Sequence, residues 1–385
     1  MVSSVLGAAR TRTREQLFDV IRSRGDVTRA ELAALTGLPQ STINQSINQL
    51  VADGRISAVD SETKGPGSGR GRPASRLRAV AAGAAVAGID FGHSHVHVGV
   101  ADPLGRTIDT AHVRLDVDTQ ATQAMDLAAT MLNRLLARHN LPAPSAVVAG
   151  IPGPVDLSSG LVCSPTILSG WVGLAPATEI GTRIGADVHI ENDAALGALG
   201  QVHARTDTPL DTFLYVKASH GIGASVVIGG ELYRGTTGLA GEIGHTHLPG
   251  RSELCRCGNR GCLEAAVSVT TIRAQIAHTR PGTSPESINL ADVHDPIAAR
   301  ILAEAGRTLG RVLADLANLL NPAAVIIGGE LGAVDQPLID GVRESIQRHA
   351  QPAIADALRV QPATLGIDTE LIGALQLAAQ LAAAR

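Results

Sequence analysis

The sequence predicts an α/β protein in two parts: a small three-helix head with a β-wing, then a larger body of two lobes. Three observations predict it. Charge is divided unevenly: residues 1–80 carry 12 Lys/Arg against 7 Asp/Glu, a net of +5, whereas residues 81–385 carry 20 against 29, a net of −9. Apolar residues recur at helical spacing through the first fifty positions; after Ala84 short apolar runs alternate with helix-length segments. Glycine-rich turns follow three of those runs, "DFGHSH" at Asp90, "ASHGIGAS" at Ala218 and "IIGGELG" at Ile326.

In the head, Arg12 to Arg24 places Leu17, Val20 and Ile21 on one stripe. Thr28 is a good N-cap, with Glu31 three residues on as a capping box, for a second helix from Arg29 to Thr36. Gly37-Leu38-Pro39 forms the turn. A third helix from about Gln40 to Asp53 turns Ile43, Ile47, Leu50 and Val51 inward and Gln40, Ser41, Thr42, Asn44, Gln45 and Asn48 outward. Such polar, uncharged side chains can exchange hydrogen bonds with base edges in a major groove. Helix, glycine-containing turn and amphipathic helix together make a helix-turn-helix pattern. In "GRISAVDSETKGPGSGRGRPASRLRAV", which follows, two β-prone ends flank a Gly/Ser/Pro/Arg tip, "GRGRP", and Leu77 to Ala87 reads as the strand end and a short linker. That reads as a wing, with Arg70 and Arg72 suited to a narrow, strongly negative minor groove. A basic head on an acidic body fits a double-stranded DNA partner.

In the body, "AAVAGIDFG", "HVHVGVADP" and "GRTIDTAHVRL" read as three strands joined by tight turns. A helix over about Thr119 to His139 and the buried strand "AVVAGIP" follow. The second half repeats the style with "DTFLYVKAS", "IGASVVIGGELY" and "AAVIIGG", which implies a second sheet. The stretch from Thr369 to Ala384 is an amphipathic to fully apolar helix that must dock on something. With 44% hydrophobic but only 2% aromatic residues, the cores must be built from Ala, Val, Leu and Ile. The longest apolar stretch, Ala79 to Ile89, is far too short to span a bilayer, and the N-terminus has no charged segment followed by an apolar block. Cytoplasmic location without a membrane partner is expected.

Of four cysteines, three lie in "CRCGNRGC", Cys255, Cys257 and Cys262, just after His245 and His247. Cys-x-Cys-x4-Cys brings three thiolates within reach of one small ion, and either histidine is near enough to be the fourth ligand. Three cysteines and one histidine form a closed structural zinc set, with no position open for an activated water. A disulfide would leave an odd cysteine and require an oxidising compartment.

Gly150-Ile-Pro-Gly-Pro154, Glu191-Asn192-Asp193-Ala194, Gly241-Glu242-Ile-Gly-His245 and Cys255-x-Cys257-Gly-x-x-Gly-Cys262-x-Glu264 together resemble the signature of the ROK family, named for repressor, open reading frame and kinase. The resemblance covers the whole chain, because the repressor branch also carries an N-terminal winged helix-turn-helix. It implies a two-lobed, actin-like or hexokinase-like ATPase-type fold. The head would be 1–80 and the sugar-binding body 81–385. The first lobe, about 84–193, would take back the terminal helix 369–384; the second, about 194–368, would carry the zinc loop 245–262. It implies His245 rather than His247 as the zinc ligand. It also implies sugar contacts from Asn192, Asp193, Glu242, His245 and Glu264, with Asp193 at the position of the kinases' general base.

The phosphate loops depart from the family's kinase pattern. Asp-x-Gly-Gly-Thr reads Asp90-Phe-Gly-His93-Ser94 here; Gly-Thr-Gly-x-Gly-Gly-Gly reads Ser219-His220-Gly221-Ile-Gly223-Ala224-Ser225; Gly-Gly-Gly reads Gly328-Gly329-Glu330. Side chains at 93, 220 and 224 would intrude where phosphates must approach backbone, and Glu330 would set a negative charge near a polyanion. The expected function is therefore a sugar-responsive transcriptional regulator, a repressor, acting as a homodimer or homotetramer and lacking kinase activity. Two alternatives stand beside it: a bifunctional ATP-dependent sugar kinase with a DNA-binding head, and a regulator that answers a phosphosugar or a protein partner.

Overall fold

In a computed structural model, residues 2–59, 75–80, 83–153, 155–156, 160–162, 168–204, 210–292, 295–334 and 336–384 are described. Their contacts divide the chain into two compact units, Met1–Ala84 with Asp102–Leu104, and Ala85–Ala101 with Gly105–Arg385.

The smaller unit holds α1 (Val2–Arg24), β1 (Val27–Thr28), α2 (Arg29–Thr36), α3 (Gln40–Ala52), β2 (Ile56–Val59) and β3 (Arg76–Ala79). The first helix begins ten residues before the Arg12 that the apolar stripe marks. Thr28 caps α2 and Glu31 reaches back to the Thr28 amide, so both arms of the capping box are made. Leu17, Ile21, Leu32, Ile43, Ile47, Leu50 and Leu77 are fully buried and form one core. Val51 is not in it: at 42% exposure it lies on the outside of α3, one position past Leu50 and about 100° around the helix from it. Strand β3 pairs antiparallel with both β1 and β2. Arg70 and Arg72 lie outside the described residues.

The larger unit opens with β4 (Val86–Gly92), β5 (His95–Ala101), β6 (Thr107–Arg114) and α4 (Ala121–Arg138). Then come β7 (Val147–Ile151), the short pair β8 (Val155–Asp156) and β9 (Leu161–Val162), α5 (Pro176–Ile184), β10 (Val188–Asn192) and α6 (Asp193–His203). Its second half comprises β11 (Phe213–Ala218), β12 (Ile222–Ile228), β13 (Glu231–Tyr233), α7 (Leu263–Val267), α8 (Val269–His278) and α9 (Pro296–Leu320). It ends with β14 (Ala324–Gly328), α10 (Gly329–Gly332), α11 (Gln336–His349), α12 (Pro352–Ala357), β15 (Arg359–Pro362) and α13 (Thr369–Ala383).

Two five-stranded sheets result, ordered β10-β7-β4-β5-β6 and β13-β12-β11-β14-β15. Both follow one plan. The first three strands form an antiparallel meander, and the next two add in parallel beside the first. The stretch "IGASVVIGGELY" is two strands, β12 and β13. Gly229 and Gly230, at φ 61° and 79°, turn the chain where side chains would be strained. Helix α13 packs on β4, β7 and α6: Leu371 and Leu375 are fully buried with Val86, Val148 and Leu196. Small residues permit this approach. A Cβ on Gly200 would strike the Thr369 carbonyl, and one on Gly373 the Leu196 carbonyl. Among the described residues no helix is long and apolar enough to cross a membrane.

Candidate ligand cleft and metal centre

One cleft in the larger unit is lined from both sheets. Gly92, His93, Ser94 and His95 follow β4; Pro152 and Gly153 follow β7; Asn192 and Asp193 join β10 to α6. Lys217, Ser219, His220 and Gly221 end β11, and Glu242, His245 and Glu264 complete the wall. All five side chains to which the motifs assign sugar contact therefore meet in one place.

Each is held by its local backbone. Asn192 is the N-cap of α6: its Oδ1 accepts from the amides of Ala194 (2.9 Å) and Ala195 (3.2 Å), while its Nδ2 donates to the Gly153 carbonyl (3.4 Å). Asp193 is buried; its Oδ1 accepts from the Ala194 amide at 2.7 Å. Glu242 and His245 sit on a short segment laid against β12. Gly241, at φ 108°, accepts from the Ala224 amide (2.9 Å), and a Cβ there would collide with the Ala224 carbonyl. Burial pushes the Glu242 carboxyl up, against the pull of His245. Glu264, on the first turn of α7, accepts from the Ile222 amide at 3.1 Å through Oε2.

The ligand atoms of His245, Cys255, Cys257 and Cys262 all lie within 4.8 Å of one another. His245 Nδ1 is 3.8 Å from Cys255 Sγ and its Nε2 is 3.7 Å from Glu242 Oε2, so the ring faces the sulfurs with one nitrogen and the cleft wall with the other. His247 is exposed, outside this group of four. Burial pushes the Cys255 thiol up to about 12. Three thiols and an imidazole so close together, with one thiol held neutral, are a donor set that a soft cation would suit, since it stabilises thiolates.

Asp118, Arg234 and Arg256 gave no signal in sequence; Asp118 and Arg234 each pair with a residue of the altered loops or the motifs, and Arg256 pairs with Asp118. His93 Nδ1 bonds Asp118 Oδ1 at 2.6 Å, and Arg256, from between the first two cysteines, reaches the other Asp118 oxygen at 2.7 Å. Burial would raise the Asp118 pKa, but its bonds to His93 and Arg256 prevail and hold it below the usual range. Burial, with the nearby His93 and Arg273, pushes His220 down to about 4. Arg234 pairs with the buried Glu191 at 2.8 Å. Two details differ from the sequence expectation. Ala224 lines the neighbouring cavity with Glu191 and Asn192, not the part beside His93. Glu330 is ion-paired to Arg273, which offsets the charge it would present.

Two imidazole rings stand between the loops that follow β4 and β11. The His93 ring packs on Gly221: a Cβ at 221 would lie 3.3 Å from His93 Nε2 and from Glu264 Oε2. The His93 and His220 rings are 6.2 Å apart between the two loops.

Two matching α/β lobes around a polar cleft, behind a winged helix-turn-helix, define a sugar-kinase-like body fused to a DNA-binding head. The comparisons agree. Residues 86–381 match the ROK family and residues 10–57 a winged helix-turn-helix DNA-binding family. The chain belongs to the ROK family. It is 27% identical over 360 residues to the xylose repressor of Bacillus subtilis (strain 168), covering 93% of this chain and 92% of that one. The crystal structure of a ROK family glucokinase from Streptomyces griseus, in complex with glucose and AMPPNP, is 27% identical with a TM-score of 0.68, covering 77% of this chain and 99% of that one. A ROK family transcriptional regulator, a homolog of the E. coli MLC protein, shares the fold with a TM-score of 0.72 at 21% identity, over 97% of this chain and 96% of that one.

Proposed function

We propose that the protein is a sugar-responsive transcriptional repressor whose kinase-like body binds a free sugar without phosphorylating it. The observation that carries this reading is the cleft itself. Asn192, Asp193, Glu242, His245 and Glu264 converge there, while His93, at a position where the kinase pattern has glycine, packs against Gly221. Carboxylates, an amide and an imidazole offer the donors and acceptors that a polyol requires. Full-length likeness to a xylose repressor supports it.

Zinc fits the four-ligand cluster. Held by His245, Cys255, Cys257 and Cys262, it would be structural: four protein ligands leave no site for a water, and its work would be to fix the loop that carries Glu242 and Glu264. A DNA-binding head and a thiol set suited to zinc support a cytoplasmic location. Gln40, Ser41, Asn44 and Gln45 on the exposed side of α3, with the half-buried Thr42, would read base edges. Paired half-sites call for at least a homodimer, or a homotetramer. A sugar that binds two conformations of the body unequally would change operator affinity, and operator DNA would change sugar affinity by the same factor.

The test selects an operator from random duplexes, then measures its binding with and without a panel of free pentoses and hexoses. Tight binding of a sugar to the protein with no change in operator affinity refutes the coupling. Sustained ATP turnover that Asp193→Asn abolishes refutes the non-enzymatic reading.

A further inference from the structure

Thirty of the 32 basic residues of this chain are arginine, and one of its two lysines is buried at the floor of the cleft. Lys217 projects from β11, the central strand of the second sheet. Its Nζ lies 3.0 Å from Asp193 Oδ2 and 3.6 Å from Glu370 Oε1. The Asp90 carboxylate, from the central strand of the first sheet, also acts on it. Asp90 is 1% exposed; its Oδ2 is bonded to His95 Nε2 at 3.0 Å, and its Oδ1 has no hydrogen bond among the described residues. Glu370 is equally enclosed, and its Oε1 accepts from the Tyr215 hydroxyl at 2.9 Å.

Two buried carboxylates, from α6 and α13, thus flank the Lys217 ammonium, and a third, from β4, feels its charge. Left alone they would repel one another, and each would bear the cost of losing its hydration. Two kinds of partner relieve that: a hard divalent cation, which takes several carboxylate oxygens at once, or an organic cation of the protein itself. Burial alone would raise the Asp90 pKa, yet the Lys217 charge and the His95 bond bring it down to about 2. The lysine thus offsets part of the cage's negative charge; Asp90 Oδ1 and Lys217 Nζ both remain without a hydrogen bond among the described residues.

We propose that Lys217 is a tethered cation: its ammonium fills a carboxylate cage that would otherwise take Mg2+ or Mn2+. It holds Asp193 in place from behind and frees the cleft from any need for a divalent ion. One oxygen of Asp193 accepts from the Ala194 amide, and the other faces the Lys217 ammonium as an ion pair. Lys217 is a positioning residue in this scheme, and the cation a kinase must import with its nucleotide is replaced by one encoded in the chain. The assignment rests on the cage and holds whether or not a sugar binds.

The experiment is Mn2+ titration of the zinc-loaded full-length protein, read by electron paramagnetic resonance and thermal melting. Wild type should bind no Mn2+ in the cleft and melt at the same temperature with or without it. Lys217→Ala should gain one Mn2+ site with a dissociation constant on the order of 0.1–1 mM. It should also melt higher, or recover its folded form, when Mn2+ is added. The double variant Lys217→Ala/Asp193→Asn should lose at least tenfold of the gained affinity. Mn2+ binding by wild type that Asp193→Asn removes overturns the proposal. So does a Lys217→Ala protein that Mn2+ neither binds nor restores to the folded form.

Discussion

Replacing Cys257 with serine removes one of four ligands whose donor atoms lie within 4.8 Å of one another. Structural zinc contributes about 10–16 kcal/mol in small zinc modules. Shared over four ligands, one thiolate accounts for about 3–4 kcal/mol, or roughly 10²–10³-fold in zinc affinity. The loop connects directly to the cleft. Glu242 stands 3.7 Å from His245 Nε2, and Glu264, two residues beyond Cys262, lies 3.8 Å from Cys255 Sγ and accepts from the Ile222 amide at 3.1 Å. Releasing the loop frees three of the five proposed sugar contacts, Glu242, His245 and Glu264. At about 0.5–1.5 kcal/mol per hydrogen bond, sugar affinity should fall on the order of tenfold to a few hundredfold. Zinc content by mass spectrometry and sugar binding by calorimetry on the same preparation check it. Zinc below a tenth of an equivalent with sugar affinity unchanged would refute the reasoning and reduce the loop to a surface clasp.

Gly373→Ala should lower stability by about 1–3 kcal/mol in denaturant unfolding, because the added Cβ meets the Leu196 carbonyl and must push α13 off α6. His220 has a folded pKa of about 4 against an ordinary 6.5, so the unfolded chain binds more protons between those values. Stability is then full above pH 6.5 and falls as pH drops toward 4; with the ring partly open to solvent the loss is about 1–2 kcal/mol. His220→Asn should remove that part of the difference between unfolding curves at pH 7.5 and pH 5. Asn44→Ala or Gln45→Ala, both at exposed positions of α3, should cost about 1–3 kcal/mol of operator binding each while leaving the salt dependence unchanged.

What could be read in the sequence was local. The Thr28/Glu31 box, the turn after α2 and the spacing Cys255-x-Cys257-x4-Cys262 are each set by residues a few positions apart, and each has its local counterpart in the structure. Locality also explains the errors. Apolar character carried Val51 into the core, although a one-residue step along a helix rotates it away from Leu50; and a glycine pair inside an apolar run hid the hairpin between β12 and β13. The interior polar network was invisible for the opposite reason. Tyr215 and Glu370 are 155 residues apart, and Arg256 and Asp118 are 138 apart. Lys217 sits in an otherwise apolar strand, and only the arrival of α6 and α13 gives it partners.

The division of the cleft between two lobes decides which forces can work it. The lobes are tied at the cleft rim by Arg256 to Asp118 and by Arg234 to Glu191, both through partly exposed guanidinium groups, and at its floor by Lys217 with Asp193 and Glu370. The two rim pairs contribute about 0–1 kcal/mol each, so the rim can be drawn shut or released by a modest competing demand while the floor contacts persist. A sugar reaching Asn192 and Asp193 at the end of the first sheet, and Glu242, His245 and Glu264 beside the second, bridges them with five groups. At about 0.5–1.5 kcal/mol each these could supply roughly 3–7 kcal/mol of preference for one lobe arrangement. Taking an equilibrium from 1:99 to 99:1 needs about 5.5 kcal/mol. A ligand touching one lobe alone has no such preference to give. Potency as an effector should therefore follow the number of hydroxyls that reach both walls, not affinity by itself. A tight ligand confined to the Asn192 side should occupy the cleft and leave operator binding unchanged.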